Sequence, residues 1–177
     1  MNIEFPERFN MAEYFLYHNV TEGREGKTCL YFEDETYTYG EAVRRSNRLG
    51  NALRELGVRQ EDRVLIVLPD IPEFAWTWFG AARIGAVITM VNPLLPAADY
   101  KYYLEYTRAP VAVIHESLLD NFAEAAQSAG HLRKVLVVGS ERGEQGDFLS
   151  FEKTLSAMPD ELTPADTHRD DIAIWLF

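Results

Sequence analysis

The chain has 177 residues, 47% of them hydrophobic and 25% charged, which is ordinary composition for one globular domain or one large subdomain. Its net charge of −11 argues against nucleic acid and anionic membrane as main partners, because both attract basic surfaces. A single cysteine, Cys29, excludes an internal disulfide and fits a reducing compartment, so the cytosol is the default location. The start Met1-Asn2-Ile3-Glu4-Phe5-Pro6 lacks the charged and apolar regions of a signal peptide. The apolar stretch from Phe74 to Ala86 is interrupted by Arg83 and is too short to span a bilayer.

Residues 1–27 read as an irregular lead-in with one short helix near Met11–Tyr17, which Asn10 can cap with Glu13 three residues on. Cys29–Glu33 and Thr36–Tyr39 flank Asp34-Glu35 as a tight hairpin. Thr38-x-x-Glu41 is a capping box, and Val43, Ser46, Leu49, Leu53 and Leu56 follow at helical spacing until Gly57. Arg44, Arg45, Arg48 and Arg54 lie largely off that stripe. They read as a solvated face, with a basic docking face as the alternative and Glu41–Arg45 as an i,i+4 pair.

From Val64 the chain alternates between strand and helix. Val64–Leu68, Ala86–Val91, Val111–Ile114, Val135–Val138 and Ile172–Phe177 read as core strands. Between them, Asp70 caps a helix running to Ile84, apolar nearly all round, with Pro72 and Glu73 in its first turn. Further helices are expected from Pro96 to about Thr107, from Ser117 or Leu118 to Ala129, and over Phe148–Ala157. Residues 158–169 form a polar connector. This alternation predicts an α/β fold, a mostly parallel sheet flanked by helices, with a small N-terminal hairpin. The run from Asp170-Asp171 into Ile172–Phe177 reads as a strand cut off before its loop. That suggests the front part of a larger enzyme, the alternative being a complete small protein.

Little chemistry is visible. There is no GxxxxGK[ST] loop and no GxGxxG after a strand. Gly139–Gly146 carries two glutamates and no lysine, so it reads as a surface loop rather than a phosphate cradle. His18, His115, His131 and His168 lack metal-ligand spacing, and no GxSxG elbow occurs. The pairs Asp70/Glu73 and Asp170/Asp171 sit where helix capping or the start of a strand explains them. Phe74, Trp76, Trp78 and Phe79 are better read as core than as a substrate channel, and Cys29 as a structural thiol. On these grounds no residue is assigned a catalytic or metal-binding role.

Three stretches in order resemble the N-terminal region of the adenylate-forming (AMP-binding) superfamily. Tyr37-Thr38-Tyr39-Gly40-Glu41, with a helix ending Leu53-Arg54-Glu55-Leu56-Gly57-Val58, is similar to the first family motif. Asp62-Arg63-Val64 to Asp70 is similar to the G-D-R-V strand, with Glu61 at the usual glycine. Ala81-Ala82-Arg83-Ile84-Gly85-Ala86-Val87 to Asn92-Pro93 is similar to the A-x-x-x-G-A-V core motif. Asp170-Asp171-Ile172-Ala173 matches the strand lead-in that precedes the family's phosphate-binding loop. The opening Phe5–Phe15 and the block Gly26–Tyr39 look like benzoate-CoA ligases and related aromatic-acid CoA ligases.

The resemblance implies that residues 28–177 are the N-terminal α/β subdomain of an AMP-binding ligase, truncated before the phosphate-binding loop. For the parent it implies ATP, magnesium and CoA as cofactors and a small aromatic carboxylate as substrate. This part would carry no cofactor and be inactive alone. Its partner would be the remainder of its own enzyme. Independently of the resemblance, apolar surface left uncovered on Ile172–Phe177 and the Phe74–Ile84 helix, with a net charge of −11 resisting open-ended aggregation, predicts a homodimer. The turn Asn92-Pro93 is the candidate contact on the CoA side. Leu94 departs from the basic residue found there in some relatives, which weakens the case for a phosphate contact. Two other functions remain open on the residues alone: a stand-alone small-molecule binding module, or an interaction protein using the Phe74–Ile84 helix.

Overall fold

The computed structural model describes residues 4–140 and 146–177. The chain opens with helix α1, a π-helical segment Glu13–Tyr17 continued by His18–Thr21. Asn10 caps it as the sequence suggests, its Oδ1 accepting from the N–H groups of Ala12 and Glu13. Glu13 does not close a capping box. Its carboxylate pairs instead with the guanidinium of Arg83.

Strands β1 (Thr28–Phe32) and β2 (Glu35–Thr38) form the expected antiparallel hairpin, with the turn one residue earlier, at Glu33-Asp34. Glu33 takes the left-handed backbone (φ 51) that the tight turn demands. Helix α2 (Tyr39–Glu55) starts on a complete capping box: Thr38 Oγ1 accepts from Glu41 N at 3.2 Å and Glu41 Oε2 accepts from Thr38 N at 2.8 Å. Beyond Glu55 the chain turns at Gly57, whose φ of +85 suits only glycine without strain. The Glu41–Arg45 pair does not form. Arg45 lies over the rings of Tyr37 and Trp76 instead, at 5.4 and 5.9 Å, where an aromatic quadrupole holds a planar cation.

The two bonds from Thr38 hold the Glu41 carboxyl below the usual carboxylate range. The sign follows directly. Glu41 contributes stability above the ordinary glutamate pKa of about 4.3, and that contribution is lost as pH falls through the lowered folded value. Thr38→Ala is expected to cost about 1 kcal/mol at pH 7. The penalty of Glu41→Gln should shrink in acid. Urea melts of both variants at neutral and acidic pH measure this. A Glu41→Gln penalty that is constant with pH would refute the assignment.

The main sheet has six strands: β3 (Arg63–Val67), β4 (Val87–Met90), β5 (Val111–His115), β6 (Lys134–Val138), β7 (Phe148–Ser150) and β8 (Ile174–Trp175). Their order is β7-β6-β5-β3-β4-β8, and every neighbouring pair is parallel. Side chains alternate across it. Val64, Ile66, Ile88, Val113 and Leu136 face a core built with α1, α2, α3 (Pro72–Arg83) and α6 (Phe151–Ser156). Leu65, Val67, Ala112, Ile114 and Val137 face a second core with α4 (Ala97–Thr107) and α5 (Leu119–Ala126). The layers are helix, sheet, helix, as continuous Val/Ile/Leu strands require.

Four expectations are corrected. Asp70 does not cap α3. The chain bends so that Ile71 N bonds Pro69 O, Ile71 takes the cap position without a side-chain bond, and Asp70 points to solvent. Phe148–Ala157 is not one helix, because Phe148–Ser150 pairs with β6 before Ser150 caps α6 through Lys153 N. Helix α5 is preceded by a 3-10 turn, Glu116–Leu118, and ends at Ala126 rather than Ala129. Ile172–Phe177 is not a buried core strand. Only Ile174–Trp175 pairs, at the sheet edge, with no strand on its outer side among the described residues, and Ile172, Leu176 and Phe177 are 60%, 77% and 55% exposed. Much of the Gly139–Gly146 loop lies outside the described residues.

Candidate functional site

In a doubly wound sheet, ligands approach the carboxyl ends of the strands where the winding reverses. Here β4 lies on one side of β3 and β5 on the other, so the reversal falls at the ends of β3 and β5. His115 closes β5, and its Nδ1 lies 2.8 Å from Ser117 Oγ and accepts from Ser117 N at 3.2 Å. This is a local turn that satisfies the ring rather than a catalytic pair, since neither group reaches a third partner among the described residues. Beside it, Gly139 N donates to Glu152 Oε1 at 3.2 Å, closing the end of β6 onto α6.

Asn92 and Pro93 follow β4 at the same edge of the sheet. Asn92 Oδ1 accepts from Leu94 N at 2.9 Å, an Asx turn. From α4, Tyr100 is fully buried, and its hydroxyl lies 2.8 Å from the Pro93 carbonyl and 3.4 Å from that of Asn92. Burial pushes the Tyr100 phenol up. The turn is thus held from inside, while Leu94 at its tip is 88% exposed. The neighbouring edge strand β8 carries Trp175, which lies against Tyr106 (6.2 Å) and under the guanidinium of Arg63 (5.9 Å). Tyr103 and Tyr106 extend the cluster to Phe177, at 4.9 and 5.6 Å.

Other candidates resolve to structure. Trp76 is buried edge-on to Tyr37 at 5.4 Å, and Phe74, Trp78 and Phe79 are half-buried against the same core, so they line no channel. Cys29 is half-buried, and burial pushes its thiol up, which disfavours a nucleophilic thiolate. Tyr37 is pushed up to about 12, chiefly by its bond to the Glu35 carboxylate. Arg44 and Arg48 pair with Glu25 and Asp160, and Arg54 donates to Thr163 O, so the arginine face of α2 ties down other segments. Among the described residues no group of three or more His, Cys, Asp or Glu side chains could hold a metal ion. No helix of the described residues is long and apolar enough to cross a membrane.

Sequence reasoning missed how the lead-in is held. Phe9 exchanges bonds with Thr167, its N–H to the Thr167 carbonyl at 2.9 Å and its carbonyl from Thr167 Oγ1 at 2.8 Å. Arg169 N bonds Glu7 O at 2.9 Å, and Arg8 pairs with Asp166 at 2.8 Å. No local pattern signals contacts between residues so far apart. The Asn10 cap was the single legible part.

The described residues supply a short edge strand and a turn pinned from inside by Tyr100. Comparison with known proteins places that scaffold. The chain is 36% identical over 176 residues to a benzoate–CoA ligase of Thauera aromatica, covering 99% of the chain and 32% of that protein. It is 35% identical over 169 residues to a 4-hydroxybenzoate–CoA/benzoate–CoA ligase of Rhodopseudomonas palustris, covering 96% and 31%. Its fold matches a crystal structure of an anthranilate CoA ligase in complex with anthranoyl-AMP (TM-score 0.90, 30% identity), covering 96% of the chain and 32% of that one. A benzoate CoA ligase from Burkholderia xenovorans LB400 matches with TM-score 0.81 and 34% identity, covering 95% and 32%. The chain therefore spans about a third of the length of these relatives. The family model for AMP-binding enzymes matches residues 17–177, which hold the whole six-stranded sheet and helices α2 to α6, and the chain belongs to that family.

Proposed function

We propose that the chain is the N-terminal structural portion of an ATP-dependent, AMP-forming acid–CoA ligase whose acid is benzoate or a related aromatic carboxylate. The observation that carries this reading is the likeness to aromatic-acid CoA ligases over 95% or more of the chain. In the proposed reaction the carboxylate attacks the α-phosphate of ATP, releasing pyrophosphate and forming an acyl-adenylate. The CoA thiol then displaces AMP. Magnesium would offset phosphate charge. Residues 28–177 would form the subdomain that carries the strands, β8 would aim the phosphate-binding loop, and the Asn92-Pro93 turn would contact CoA. The setting would be cytoplasmic and the assembly a homodimer.

The test is thioester formation by the complete protein carrying residues 1–177, with benzoate, hydroxybenzoates and short aliphatic acids offered in turn. Aromatic acids should be preferred, and residues 1–177 alone should release no pyrophosphate above background. Preference for an aliphatic acid would overturn the substrate class. Acyl-adenylate made by the 177-residue chain alone would overturn its structural role.

A further inference from the structure

Asn10 is joined to more of the fold than a helix cap requires. Its Oδ1 accepts from Ala12 N and Glu13 N at 3.1 and 3.3 Å. Its Nδ2 faces three carbonyls: Ala82 at 3.2 Å, Arg83 at 3.1 Å and Ala165 at 3.4 Å. One side-chain amide therefore caps the start of α1, satisfies carbonyls at the end of α3 and holds the connector that leads to β8. Such helix-end carbonyls have no partner within their own helix. The same point is braced by Ala165 N, which donates to Arg83 O at 2.8 Å.

Strand β8 needs such a brace. It pairs with β4 through only Ile88↔Ile174 and Thr89↔Trp175, and Ala173 O accepts from Ile88 N at 2.9 Å. A two-residue edge strand cannot set its own direction. The residues before it do, and residues 165–169 are fixed by Asn10, Phe9 and Glu7.

We infer that Asn10 is a positioning residue for the adenylation half of the proposed ligase reaction, fixing the connector that aims β8 and the phosphate-binding loop expected beyond it. This rests on the function proposed above. Asn10→Ser separates its two tasks. Serine keeps an acceptor that caps a helix, but its short hydroxyl cannot span three carbonyls.

Two measurements test the inference. In the 177-residue chain, hydrogen exchange at the Ala165, Thr167 and Ile88 amides should quicken in Asn10→Ser, with the β5–β6 amides unchanged. In the complete protein, kcat for ATP–pyrophosphate exchange should fall by between about tenfold and a hundredfold, as small misplacements of reacting groups do. KM for the acid should stay unchanged. Unaltered exchange at the three amides would overturn the inference. So would an unaltered kcat, or a loss that only tracks the fraction of folded protein. A complete wild-type protein without pyrophosphate exchange would overturn the ligase reading itself, and with it the role of Asn10 in that reaction. The amide measurement would still report on the clamp separately.

Discussion

Gly80→Val lowers the stability of the chain by about 3 kcal/mol, at the upper end of what overpacking costs. Helices α2 and α3 meet backbone to backbone here. A Cβ at position 80 would lie 2.7 Å from the Ser46 carbonyl oxygen, 3.1 Å from Gly50 N and 3.1 Å from Leu49 Cβ. Two of those atoms are main chain of a regular helix, and they cannot yield without parting the helices. The facing glycine gives an internal control. At Gly50 the nearest atom to an added Cβ is a methyl of Leu162, a side chain able to rotate, while Gly80 O lies 3.1 Å away. Gly50→Ala should therefore cost less than Gly80→Ala. Denaturant melts of the three variants decide it, and the reverse order would refute the account of this contact.

Arg83→Ala should have a comparable effect, about 3 kcal/mol, from charge-assisted bonds lost and a carbonyl left without a donor. Arg83 is 8% exposed although it stands in the apolar stretch of α3. Its Nε and Nη2 donate to Leu162 O at 3.1 and 2.8 Å, it pairs with Glu13, and its guanidinium carbon lies 3.5 Å from the centre of the Tyr17 ring. Burial lowers its pKa to about 10, still far above neutral, so the cation and its bonds persist through the physiological range. Arg83→Lys keeps the charge but not the planar fork, and should recover less than half the loss. Full recovery by lysine would mean that charge alone matters there. A near-neutral Arg83→Ala would show that the connector is held by other contacts.

The contrast between Arg83 and the strands shows what the sequence made legible. Val64–Leu68 and Val135–Val138 announce buried parallel strands by their composition, and the Thr38/Glu41 box announces its helix, because each signal lies within a few residues. Strand β7 escaped, since Phe148-Leu149-Ser150 has three residues and no turn to mark it off from α6. Arg83 looked like an interruption in an apolar helix. Its partners Glu13 and Leu162 are far away in sequence, and only the fold brings them together. The same holds at the strand ends. Asn92 and Pro93 were visible as a turn, but the tyrosine that pins them comes from the next helix.

The contact between Asn10 and Ala165 also constrains the order in which the chain can finish folding during synthesis. These residues lie 155 positions apart. At about 5–20 residues per second, Asn10 emerges from the ribosome roughly eight to thirty seconds before Ala165 does. Once α3 has followed, about halfway through that interval, α1 can dock on its end, where two of the three carbonyls stand. The sheet edge must wait for the third. The entropy of closing so long a loop grows only with the logarithm of its length, so the delay is set by translation rather than by a prohibitive barrier. Until then the nascent chain presents β4 without its outer neighbour, a bare strand edge open to mispairing with another chain.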